Sequence, residues 1–231
     1  MNARRRGGNP AQNLQRIIIG VVGAIVATVV GIGLYVALGG GGPGFQEGRD
    51  YRELATRLTP EDGPIVVHEF FSYGCPHCYD FEPHLSEWAE NLPEDVRVER
   101  APLGFNQSWR VLADAYFAFE QTGMVEEMHR AVFAGLHDRG DRRLYTREGI
   151  VALVEGRTER GAMFERALDS RAVERASTQA EQLANAAGVR SVPTLMVDGK
   201  WVLESARLGH GDVLRLADEL ISQARVTRNR P

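Results

Sequence analysis

The sequence predicts an α/β domain: a βαβ unit, a long helical block, a β-hairpin and a closing helix, all behind one hydrophobic N-terminal span. Three observations carry that expectation. The run Ile65-Val66-Val67-His68-Glu69-Phe70-Phe71 is β-branched and aromatic, bounded by Asp62-Gly63-Pro64 and by Gly74, and reads as a buried strand. Between residues 107 and 188 no strand signal appears, only amphipathic helical spacing. Asp198-Gly199 then stands between two apolar runs, a strong hairpin signal.

Taken in order, residues 1–16 are a short tail carrying Arg4, Arg5, Arg6 and Arg16 and no acid. Residues 17–38 are 22 positions without a charge. As a helix they would span about 33 Å, enough for a bilayer core. The arginines precede this stretch, which puts the N-terminus in the cytoplasm and the rest of the chain outside. A cleaved signal peptide is the rival, since Ala37-Leu38-Gly39 has the small-x-small form of a cleavage site. The length of the apolar stretch favours an uncleaved anchor. Residues 39–45, rich in glycine, read as a tether, and residues 46–231 as the exported domain.

Within that domain, residues 51–54 fit a short strand or a helix start, and the pattern does not decide. Residues 76–91 read as a helix, with Phe81, Leu85, Trp88 and Leu92 at helical spacing and Pro83 expected to bend it. Residues 95–101 are a second strand candidate. The helical block follows, with Val111, Leu112, Ala115, Tyr116 and Phe119 on one stripe and Val125, Met128, Val132, Phe133 and Leu136 on the next. Strands at 194–197 and 201–203 and a helix over 212–224 complete the domain. A βαβ unit needs only ~30 residues, so the helical block is an inserted subdomain.

The formal net charge is −4, and because residues 1–38 contribute +4 the remainder carries −8. An acidic domain argues against nucleic-acid binding, which needs basic surface to displace counterions.

The chain has two cysteines, both in Cys75-Pro76-His77-Cys78 at the junction of the first strand and its helix. A cysteine at a helix start meets unpaired backbone N–H groups and the positive end of the helix dipole, which favour thiolate over thiol. Pro76 suits the first helical position, where a missing N–H costs nothing. The pattern points to a redox pair. A structural disulfide here would close a tiny loop and gain little chain entropy. A zinc site would want four ligands, and only His68, His77 and His84 lie nearby. Covalent haem attachment needs a histidine where Tyr79 stands.

Glu69-Phe70-Phe71-Ser72-Tyr73-Gly74-Cys75-Pro76-His77-Cys78-Tyr79-Asp80-Phe81-Glu82, together with Ser191-Val192-Pro193-Thr194, resembles the DsbA family of disulfide oxidoreductases. The resemblance runs from about Phe45 to the C-terminus and implies a thioredoxin-like fold interrupted by a helical domain, in agreement with the pattern above. It implies Cys75 as nucleophile and Cys78 as the buried resolving cysteine, with a reduced thiolate stable enough to make the enzyme a donor of disulfides. Each unit by which a thiol pKa falls favours the reduced form by about 1.4 kcal/mol. His77 could bond to or charge-stabilise the sulfur, or could be a solvent-exposed turn histidine. Val192-Pro193 matches the family's cis-proline, which offers backbone groups to a substrate, with Thr194 beside it; an ordinary strand-entry proline is the plain alternative.

Glu69 matches the family's buried acid beneath the cysteine pair, suited to relay the Cys78 proton; a solvent-facing strand residue is the other reading. The family's usual lysine partner falls at Arg100, which cannot release a proton, so a fixed ion pair is expected in place of a two-residue relay. Of the aromatic residues around the motif, Tyr73 is expected to reach the substrate surface; Phe70, Phe71, Tyr79 and Phe81 are expected in the core. His129, His137 and His210 receive no role. No metal and no cofactor beyond the Cys75–Cys78 disulfide is expected. The implied partners are unfolded exported proteins bearing cysteine thiols and a quinone-linked oxidase of the DsbB or VKOR type in the bacterial inner membrane, with the catalytic domain periplasmic. A reductase or isomerase on the same fold, or a tethered chaperone without catalysis, would use the same architecture.

Overall fold

A computed structural model describes residues 19–31, 44–204 and 207–228. Residues 19–31 form helix α1, in a unit separate from the domain that begins at Phe45. The expected tail, the two ends of the expected membrane span and residues 39–43 of the expected tether lie outside the described residues. Among the described residues no helix is long and apolar enough to cross a membrane.

The domain is built on a five-stranded sheet of order β1-β5-β4-β2-β3. Strand β1 (Tyr51–Glu53) runs antiparallel to β5 (Trp201–Glu204), which settles the segment that pattern left open. Central strand β2 (Ile65–Phe71) pairs in parallel with β3 (Val96–Pro102) and antiparallel with β4 (Thr194–Val197). Helix α2 (Pro76–Glu90) makes the crossover from β2 to β3 and runs on through Pro83. At the β4–β5 turn Asp198 and Gly199 have φ of 57° and 60°, the left-handed pair that a type I′ hairpin requires.

Side chains alternate across the strands and so divide between two cores. Ile65, Val67, Leu195, Val197, Trp201 and Leu203 face Phe81 and Leu85 of α2 and the closing helix α8 (His210–Arg228), which is longer at both ends than its apolar spacing predicts. Met196 and Val202 face the other way, into the core of the helical block. That block holds α3 (Gln107–Thr122), α4 (Val125–His137), a short 3-10 turn (Arg142–Tyr145), α5 (Arg147–Glu155), α6 (Gly161–Leu168) and α7 (Arg171–Ala186). Its boundaries carry chemical signals: Asn106, Thr146 and Ser170 accept backbone N–H groups at helix starts, and Gly123 ends α3 in the left-handed region at φ 64°.

Candidate active site

Strand β2 ends at Phe71, and four residues later Cys75 caps α2 in an extended conformation (φ −93°, ψ 117°), with Pro76 opening the helix. The Cys75 carbonyl accepts the Cys78 and Tyr79 N–H groups at 3.1 Å, which sets the sulfur at the N-terminal end of the helix. Both cysteines are free thiols. Their environments differ: Cys75 keeps 6 % of its surface and Cys78 none, so Cys75 is the sulfur a second molecule can attack. The Cys78 thiol, then the backbone N–H groups of Cys78 and His77 and the His77 charge, hold Cys75 down to about 6 against the opposing pull of burial. Burial, reinforced by the neighbouring Cys75, pushes Cys78 far above the ordinary thiol range. One thiol is poised to ionise and its neighbour to stay protonated, the division of labour an exchange reaction needs.

Pro76 and His77 are exposed, so His77 meets solvent while its backbone serves the sulfur. Gly74 is required by packing: a Cβ there would lie 2.4 Å from Trp109 Nε1. Across the site the Val192–Pro193 peptide is cis, and the Cys75 thiol donates to the Val192 carbonyl at 3.4 Å. Pro193 is buried and Val192 half-buried.

Two of the expected substrate contacts have buried side chains. Tyr73 is completely buried; its ring packs edge-on against Phe71 and Phe133, and its hydroxyl lies 2.8 Å from His129 Nδ1. The helical block folds over it, which a motif-adjacent aromatic cannot reveal. Thr194 is buried too, and its hydroxyl donates to Ser191 O at 2.8 Å, inside the turn it closes.

Beneath the cysteines Glu69 is 1 % exposed, which removes the solvent-facing reading. Burial pushes its carboxyl up to about 8, although Arg100 Nε donates to its Oε2 at 3.1 Å. Its charge acts on Cys78. Arg100 also donates through Nη2 to Glu82 Oε1 at 2.9 Å, and His129 Nε2 stands 3.1 Å from Glu82 Oε2, in an alignment short of a hydrogen bond.

Glu82, His129 and His137 were not expected in the site. Glu82 lies four residues after Cys78, on the same helical face, and His129 falls on the α4 stripe of Val125, Val132 and Phe133; those spacings were the available signal. His137 Nε2 donates to Tyr73 O at 2.7 Å and its ring stacks on Tyr79, fastening α4 to the loop before Cys75. An open groove of about 800 Å³ in the helical block, lined by Arg139, Leu144, Leu153 and Arg157 among others, shares no residue with this site. Among the described residues no three His, Cys, Asp or Glu side chains are grouped to hold a metal ion.

An asymmetric dithiol at the start of the first long helix of a five-stranded sheet, facing a cis-proline turn, defines a thiol:disulfide oxidoreductase; the thioredoxin family model matches residues 60–209. The chain belongs to the DsbA family and is a dithiol oxidase by class. It is 36 % identical over 180 residues to the thiol:disulfide interchange protein DsbA of Azotobacter vinelandii, covering 77 % of this chain and 84 % of that one. The crystal structure of Pseudomonas aeruginosa DsbA matches with a TM-score of 0.76 at 34 % identity, over 80 % of this chain and 97 % of that chain. DsbA from Xylella fastidiosa matches with a TM-score of 0.73 at 27 % identity, over 79 % and 98 % respectively.

Proposed function

We propose that this chain donates disulfide bonds to exported proteins through the Cys75-Pro76-His77-Cys78 pair, on the outer side of a bacterial inner membrane to which residues 17–38 anchor it. The carrying observation is the contrast between the two thiols, Cys75 held down to about 6 and Cys78 pushed up by burial. A stable Cys75 thiolate favours the reduced enzyme, and that makes its disulfide a strong oxidant.

In the reaction, a client thiolate attacks Cys75 Sγ; a client–Cys75 bond forms and the Cys75–Cys78 bond breaks. The pair of electrons leaves on Cys78, which takes a proton from the Glu69 carboxyl. The client's second thiolate then displaces Cys75, which departs as the thiolate. Two electrons have passed to the enzyme, and no cofactor beyond the dithiol is used. Glu69 serves as the proton carrier, with the Arg100 guanidinium as its hydrogen-bond donor. The backbone at Val192 and Pro193 holds the client as an added strand. A quinone-linked membrane oxidase of the DsbB or VKOR type returns the pair to the disulfide.

Equilibration with glutathione tests the direction of exchange. The disulfide should persist only in strongly oxidising buffer; a pair that stays oxidised in reducing buffer would make the protein a reductase. Cys75→Ser should abolish dithiol oxidation, whereas the activity of a tethered chaperone would survive that change. For the anchor, the mature protein should begin near Met1 and stay with membranes after a salt wash; a start near Gly40 would overturn it.

A further inference from the structure

Two carboxylates converge on one guanidinium beneath the cysteines. Arg100, on β3, donates through Nε to Glu69 at 3.1 Å. Its Nη2 donates to the two oxygens of Glu82 at 2.9 and 3.2 Å and to Ser86 Oγ at 3.2 Å. The two acids are not equivalent. Glu69 has this single arginine contact, whereas Glu82 holds two and also accepts the Ser86 hydroxyl at 2.5 Å.

His129 does not supply a second cation. Tyr73 Oη lies 2.8 Å from its Nδ1, a contact that accommodates a neutral imidazole with the phenol donating and the ring proton on Nε2. Burial also pushes His129 down. One cation shared by two buried carboxyl groups leaves one of them to hold a proton. The richer set of donors makes Glu82 the anion and Glu69 the acid. The directions agree: burial lifts Glu69 to about 8, whereas burial of Glu82 is outweighed by His129, Arg100 and Ser86, which hold it down.

We propose that Glu82 is a positioning residue of the dithiol reaction: it occupies the Nη2 side of Arg100, so that this guanidinium does not fix Glu69 as an anion and Glu69 stays able to exchange a proton with Cys78. This deepens the proposed function and rests on its reading of Glu69 as the proton carrier. In the step concerned, the Cys75–Cys78 bond breaks as the client–Cys75 bond forms, and the Glu69 proton passes to the Cys78 thiolate, leaving a thiol and a carboxylate. The other titratable groups around Glu69 are Cys78 and Cys75 on α2, Tyr116 on α3 and Tyr73 in the loop before α2; burial pushes both tyrosines up, so they stay neutral.

The test is the pH profile of single-turnover oxidation of a dithiol peptide by the oxidised full-length protein, read beside the infrared band of the protonated carboxyl. In the wild type both should titrate near pH 8, the value set by Glu69. Glu82→Gln removes a like charge and gives Arg100 over to Glu69. Both readouts should then move to lower pH by about one unit or more, with a step slower by about twofold or more at neutral pH. Glu82→Asp draws the charge back from Arg100 and should shift both the same way by less; it carries the test if the glutamine variant does not fold. Glu69→Gln should abolish the band and the pH limb together. If it leaves them intact, the reading of Glu69 fails and this proposal with it. If Glu69→Gln abolishes them while the Glu82 variants lose stability without moving either readout, the role of Glu82 alone is overturned.

Discussion

Cys75 Sγ stands 3.4 Å from the carbonyl oxygen of Val192, 117 residues away along the chain. The thiol can donate to that oxygen and the thiolate cannot, so this contact favours the protonated form. The opposite influence comes from the Cys78 thiol and from the N–H groups of Cys78 and His77, which favour the anion and hold Cys75 at about 6. The sulfur is thus placed between a carbonyl that rewards the proton and a helix start that removes it. A client strand added at Val192, as proposed, would compete for the same carbonyl and so couple strand pairing to the state of the nucleophile.

The first prediction concerns the pH dependence of the reduced protein. A thiol lowered from 9.0 in the unfolded chain to about 6 in the folded one contributes stability that is complete above 9.0 and lost as pH falls through 6. Denaturation of the reduced and oxidised proteins should therefore diverge as pH rises from 6 to 9, in favour of the reduced form, by about 4 kcal/mol over the window. At pH 7 the gain should be about 1.4 kcal/mol, or about 30 mV in the two-electron potential. Thiolate absorbance should titrate at the same pH. A stability difference that does not change with pH would show an ordinary thiol.

Glu69 gives a prediction of opposite sign. Its folded value is raised from 4.5 to about 8, so its contribution is complete below 4.5 and lost as pH rises through 8. Glu69→Gln lacks that titration. The variant should gain on the wild type as pH rises through this window, by at most about 1.4 kcal/mol per unit, and the difference should level off above it. Urea unfolding at a series of pH values measures this. A variant with the same pH dependence as the wild type would mean that Glu69 ionises in the fold as it does in solvent.

Much of this was legible in the sequence because the signals were local. The strand ending at Phe71, the helix opened by Pro76 and the Asp198-Gly199 turn each follow from residues next to one another. Strand β1 was not decided, because Tyr51–Glu53 is three residues long and forms only through its pairing with β5. Tyr73 was misplaced because a ring beside a motif fits either a surface or a core, and the packing of α4 over it is a matter of tertiary structure. The pair of Glu69 and Arg100 was legible through family resemblance. Glu82 and His129 join this pair of strand residues from helices α2 and α4, and a convergence of that kind leaves only helical spacing as its trace.

Gly74 offers a steric test. A Cβ there would lie 2.4 Å from Trp109 Nε1 and 2.7 Å from Cε2, closer than such atoms pack, so Gly74→Ala must displace the indole. The variant should lose about 1–3 kcal/mol and show altered Trp109 fluorescence. Trp109→Leu removes the obstacle, so the double variant should cost less than the two single changes added together. Additive costs would show that Gly74 and Trp109 do not share the space.

The last prediction separates stability from chemistry. Asp198 is fully buried in the β4–β5 turn, where its carboxylate meets the guanidinium groups of Arg57 and Arg228. Arg57 also donates to the Asp198 carbonyl at 2.8 Å, and Arg228 to Gly63 O at 2.7 Å. The N-terminal segment, the hairpin and the end of α8 are therefore tied at one carboxylate. Its backbone N–H donates to Val66 O, near the start of β2, whereas Cys75 lies beyond the other end of that strand. Asp198→Ala leaves the two arginines with only the exposed Glu61, 2.9 Å from Arg57 Nε, as an anion, and removing one partner from a buried pair costs about 3–5 kcal/mol. Thermal unfolding should shift down by about 6–20 °C, while the Cys75 titration and the glutathione equilibrium stay where they are. Asp198→Asn, which keeps the left-handed turn and loses the charge, should recover only the part of the loss that belongs to backbone conformation. Unchanged stability in both variants would mean that the two arginines are held by solvent and not by Asp198.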